Sequence, residues 1–63
     1  MDIRIGDEVY WNDPDEGFSS GYYRVYDIYS ESKTVEDSDT ILFLKNEAGS
    51  EAEVFAHEIK GAA

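Results

Sequence analysis

The residues Gly21 to Tyr29 form the longest β-prone run in the chain, and their spacing is awkward. In a regular strand alternate side chains share a face. One parity here gives Tyr22, Arg24, Tyr26 and Ile28; the other gives Tyr23, Val25, Asp27 and Tyr29. Val25 and Ile28, the best core candidates, are three apart and cannot both point inward from a regular strand. A bulge or sharp bend near Tyr26-Asp27 resolves the conflict. A long, bent strand shared between two sheets is a device of small barrels.

The rest of the chain supports a β-fold. Good helix formers are scarce, and β-branched and aromatic residues cluster in short runs bounded by turn residues. Ile3 and Ile5 alternate with Arg4 before a turn at Gly6-Asp7. Glu8 to Trp11 reads as a strand with Val9 and Trp11 on one face and Tyr10 on the other. Asn12 to Gly17 is a loop rich in Asx, Pro and Gly. Ser30 to Asp39 is polar and acidic, with Val35 its one aliphatic, and is expected to be a mobile loop. Thr40 to Lys45 is a strand. Asn46 to Ser50 is a hairpin loop, and in Glu51 to Phe55 the alternation sets Ala52 and Val54 against Leu42 and Leu44. Ala56 to Ile59 is a turn of helix or a last strand. The expected core is Val9, Val25, Ile28, Leu42, Leu44, Val54 and Ile59.

Sixty-three residues allow one small domain, assigned to residues 1–60, with 61–63 as a flexible tail. A flat five-stranded sheet of this size would leave a hydrophobic face bare. Closing it hides that face and reduces open edges, which predicts an all-β, small five-stranded barrel. Only 14 of the residues are Leu, Ile, Val or Phe, close to the composition of disordered chains at this net charge. The aromatic content of 14% argues for folding.

The segment Gly6-Asp7-Glu8-Val9-Tyr10-Trp11, the Gly-led run Gly21 to Ile28, and the hairpin from Leu44 to Glu58-Ile59 together resemble small bacterial SH3-like barrels of the Tudor or KOW kind. The resemblance spans Ile5 to Ile59 and implies the barrel, not an activity. The Trp11 to Pro14 loop also resembles one in small uncharacterised bacterial proteins. The chain lacks the Ala-Leu-Tyr-Asp-Tyr segment and tandem Trp of peptide-binding SH3 domains, and the basic surface of KOW domains that touch ribosomal RNA.

Fifteen acids against five bases give a net charge of −10. This opposes binding to a phosphate backbone or to an anionic membrane. No cysteine is present, so there is no disulfide framework or thiolate metal site, and a cytoplasmic location is expected. The longest apolar run, Ile41 to Leu44, is too short for a membrane span, and Met1 to Arg4 does not open a signal peptide.

Chemistry-bearing residues form no convincing set. His57 is the single histidine and reads as a strand-end residue rather than part of a triad. Asp13, Asp15 and Glu16 miss the calcium-loop pattern, because Gly17 and Phe18 fall where a ligand and the glycine belong. Carboxylate pairs at glycosidase separations arise by chance in so acidic a chain. The chain reads as non-enzymatic, without cofactor or metal.

The aromatics stand above background. Tyr10, Trp11, Phe18, Tyr22, Tyr23, Tyr26, Tyr29 and Phe55 exceed what one small barrel hides, so some line the surface. Rings beside carboxylates suit cationic groups, and Tudor-type barrels use such cages. Tyr10, Trp11, Phe18, Tyr22 and Tyr26 are therefore the candidate binding surface for a cationic protein or peptide. The alternative role is an acidic nucleic-acid mimic that occupies a DNA-binding protein. It requires a continuous row of carboxylates, whereas the acids concentrate at 13–16, 31–39 and 47–53.

Overall fold

The bulge anticipated in the longest strand organises the fold. In the computed structural model, which describes residues 3–14 and 17–62, β1 is Glu8–Trp11, β2 is Gly21–Tyr29 and β3 is Ile41–Lys45. β4 is Glu51–Phe55, and a one-turn 3₁₀ helix at Ala56–Glu58 leads into β5, Ile59–Ala62. Val25 pairs with Leu44 and Asp27 with Phe43, which leaves Tyr26 as the extra residue. Tyr26 and Asp27 both turn outward, and Ile28 returns to the core opposite Leu42. The Ile28 N–H donates to Asp27 Oδ1 at 2.8 Å, a local bond that braces the bend.

All pairings are antiparallel, in the order β4-β3-β2-β1-β5. The sheet curls into a half-barrel around one core. All seven expected core residues are buried, and Leu42 and Leu44 face Val54 and Ala52 across the hairpin. Ile3, Trp11, Tyr23 and Ala56 complete the core. Ile5 does not share the burial of Ile3: it is exposed, because residues 3–7 form a turn rather than a strand. There the Asp7 N–H donates to the Arg4 carbonyl, and Gly6 takes the positive φ of 97°.

The acidic loop also differs from expectation. Its backbone is not strand, but it is tied down. The Thr40 hydroxyl accepts the Glu36 and Asp37 N–H groups at 3.1 and 3.0 Å, Ser30 Oγ donates to the Thr34 carbonyl, and Val35 packs on the core. Short side chains bonding nearby backbone supply the order that apolar burial does not. At the other terminus the expected tail, 61–63, overlaps the end of β5, where Ala62 pairs with Val9; Ala63 lies outside the described residues.

The hydrogen-bond pattern fixes what the β4 edge presents. Asn46 N–H bonds Ser50 O and Ala56 N–H bonds Thr40 O. Antiparallel pairs alternate between bonded and non-bonded. Ala52 and Val54 thus bond to β3, while the backbone groups of Glu51, Glu53 and Phe55 face the open side. Glu58 closes one end of that edge by accepting the Phe55 N–H at 2.8 Å. Among the described residues no helix is long and apolar enough to cross a membrane.

Candidate functional site

The strand alternation that fills the core also sorts the outer face. Tyr10 on β1 sits opposite Tyr22 on β2, and their rings meet edge to face at 5.2 Å. Beside them lies a shallow depression of about 270 Å³ lined by Glu8, Tyr22, Arg24, Tyr26, Lys45 and Glu47, among others. Arg24 and Lys45 are direct cross-strand neighbours there, so an incoming cation meets two positive charges between Tyr22 and Tyr26.

Tyr26 leans the other way. Its ring is tilted against Phe43 at 6.1 Å, and its hydroxyl donates to Glu51 Oε1 at 2.9 Å. That bond, with the negative charges of Glu51, Glu53 and Asp27 around it, raises the Tyr26 pKa above its ordinary 10.0. Asp27 moves in the opposite direction. The Ile28 N–H, then the Lys33 ammonium at 3.3 Å, stabilise its carboxylate and lower its pKa.

Beyond Tyr26 the outer face becomes apolar. Tyr29, Ile41 and Phe55 align in one row across β2, β3 and β4, and the next row is Asp27, Phe43 and Glu53. Tyr29 is 72% exposed and Phe55 44%. His57 extends the row by stacking on Phe55 at 5.4 Å with the planes 13° apart, and its Nε2 lies 3.9 Å from Asp39 Oδ1. Tyr26, Phe43, Ile41, Tyr29 and Phe55 therefore make one ridge, with Asp27, Glu51 and Glu53 along it and Asp39 beside its His57 end.

Two of the five sequence-predicted site residues do not join a common surface. Trp11 is a correction: it points inward, is 8% exposed and packs edge to face on Tyr23 at 5.7 Å. Its partner across β1–β5 is Ile59, so the parity that buries Val9 buries Trp11 too. The indole Nε1 has no hydrogen-bond partner among the described residues. Phe18 is 87% exposed, on a loop held by Ser20 and Asp13. No ring contact links it to Tyr10, Tyr22 or Tyr26. Those three do share the outer face.

Sequence reasoning missed Ile41 and Phe43 as surface residues. The signal was present: once Leu42 and Leu44 point inward, Ile41 and Phe43 must point outward. Of the acidic loop Asn12 to Gly17, Asp15 and Glu16 lie outside the described residues. Among the described residues no group of three or more potential metal ligands assembles. No family model matches the chain, and comparison with curated proteins and with solved structures gave no match.

Proposed function

We propose that the chain is a small, non-enzymatic SH3-like interaction module that binds a cationic protein or peptide on the outer face of β2, β3 and β4. The observation that carries this reading is the outer-face row of exposed Tyr29, half-buried Ile41 and exposed Phe55, continued by half-buried Phe43 and exposed Tyr26 and flanked by Asp27, Glu51 and Glu53. Contiguous apolar surface rimmed by charge is characteristic of interaction sites. A side chain such as Lys or Arg lays its methylene stem on such a ridge and its charge beside the carboxylates. Each ring-face contact to a cation contributes about 0.5–2 kcal/mol. The net charge of −10 steers a basic partner toward the surface.

The nucleic-acid mimic finds no comparable observation. On the outer face the cross-strand row Glu8–Arg24–Lys45–Glu51 is broken by two bases, and Asp27 and Glu53 are separated by Phe43. Nuclear magnetic resonance titration of the ¹⁵N-labelled protein with an amphipathic peptide of alternating Lys and Leu tests the proposal. Saturable shifts centred on Tyr29, Ile41, Phe43 and Phe55 are expected, weakening as salt is added. Unmoved amides at millimolar peptide would sink it.

A further inference from the structure

The row above the ridge, Glu8–Arg24–Lys45–Glu51, sets two bases side by side between two acids. Arg24 and Lys45 face each other directly across β2 and β3. Opposed like charges in a sheet are destabilising. Fifteen acids are available in the chain, yet among the described residues neither base forms an ion pair. Arg24 Nη1 donates to the Gly6 carbonyl, which fixes the guanidinium and leaves its other donors unused. Lys45 has no hydrogen-bond partner among the described residues. Both bases line the depression of about 270 Å³, together with Tyr22, Tyr26 and Asn46 among others. Glu8 and Glu47 stand at the same depression and reduce its positive potential without pairing with either base.

From this geometry we infer that the depression is a carboxylate-binding subsite, with Arg24 and Lys45 holding the anion and Tyr22 and Tyr26 flanking its apolar or aromatic body. A guanidinium already anchored by one bond presents the remaining fork to a planar carboxylate at little entropic cost. The volume suits one small group rather than a drug-sized ligand. The overall charge of −10 selects a monoanion over phosphate or a polyanion, because the surrounding field repels each added negative charge. The source of the carboxylate is an acidic side chain or chain terminus of a partner, or a small organic acid. The subsite borders the ridge at Tyr26, which both contain, and is distinguished from it by Arg24 and Lys45, which the ridge does not contain.

Phenylacetate, inorganic phosphate and phenethylamine, each titrated into the ¹⁵N-labelled protein at low salt, test the inference. Phenylacetate is expected to give saturable shifts at Tyr22, Arg24, Lys45 and Asn46, with a dissociation constant in the millimolar range. Lys45→Gln is expected to weaken it by about five-fold or more, a loss of one charge-assisted contact. Lys45→Arg should retain affinity within about two-fold, since the charge is kept. Thermal melting should show Lys45→Gln still folded at a Tm near the parent's, because relief of the like-charge contact with Arg24 is offset by loss of the base opposite Glu51 and by the added net negative charge. Absence of saturable shifts, equal affinity in Lys45→Gln, or tighter binding of phenethylamine at these amides would overturn the subsite. Tighter binding of phosphate would overturn the assignment to a carboxylate. Binding of alternating Lys-Leu peptide to the ridge is read from Tyr29, Ile41 and Phe55 in the same spectra, so the two sites fail or succeed separately.

Discussion

Leu44 shows how little room a chain of this size leaves at single positions. It is fully buried between Val25 and Ala52 in the register of three strands. Leu44→Ala should cost about 2–5 kcal/mol, comparable to all the stability a domain of roughly 60 residues possesses. A denaturant midpoint equal to the parent's would show the site to be less packed than described. Tyr26 is the contrasting case, exposed and held by one bond. Its pKa is raised in the folded state, so the Glu51 bond contributes stability below pH 10.0 and loses it as pH rises through the folded value. An absorbance titration at 295 nm should show one phenol titrating above 10.0. In Glu51→Ala that phenol should return toward 10.0, because the acceptor and the nearest charge are both gone. An unchanged titration in Glu51→Ala would remove Glu51 as the cause. The misplacement of Trp11 belongs to this scale as well. A ring beside a polar loop reads as surface, yet its strand parity with Val9 outranks its neighbours in sequence. Being buried, Trp11 reports folding more directly than binding.

At the scale of elements, β2 was legible because its hydrophobic spacing contradicts a regular strand. Between Val25 and Ile28 lie two residues, whereas between Leu44 and Leu42 lies one. That mismatch makes an asymmetric prediction. Deleting Tyr26 leaves Asp27 alone opposite Phe43 and keeps Val25 and Ile28 inward. Deleting Phe43 makes Leu42 and Leu44 adjacent, and one of them must face solvent. The Tyr26 deletion should fold with lower stability, having lost the bend, and the Phe43 deletion should not fold. Near-ultraviolet circular dichroism and amide dispersion distinguish them; equal collapse of both would contradict the bulge register. The hairpin and the inward faces of β3 and β4 were equally readable from alternation. The loop 31–39 was not, because its order comes from the Thr40, Ser30 and Ser32 hydroxyls bonding backbone and side chains. Such bonds leave no periodic pattern. The ridge was legible only in part: Tyr26, Tyr29 and Phe55 stood out as aromatics, but their alignment depends on the register shift at Tyr26, and no composition count reveals which residues become neighbours.

For the whole molecule, charge sets the balance. Fifteen acids and five bases share one small surface, and most charges see like neighbours. Screening acts over about 10 Å at 0.1 M salt, a spacing typical of this surface. The exposed Lys33–Asp27 pair at 3.3 Å is of a kind that contributes about 0–1 kcal/mol, too little to reverse the sign. Tm should therefore rise between dilute buffer and moderate sodium chloride; a fall would reveal organised ion pairing that outweighs repulsion. The same charge underlies the cationic partner class that we propose for the ridge. The most direct test of that proposal is a double variant, Tyr29→Ser with Phe55→Ser, assayed for both melting and peptide binding. Both side chains lie on the solvent side of the sheet, so removing them should leave the fold standing while binding of the alternating Lys-Leu peptide falls at least about ten-fold, or 1.4 kcal/mol. Unchanged affinity in a folded double variant would contradict the account.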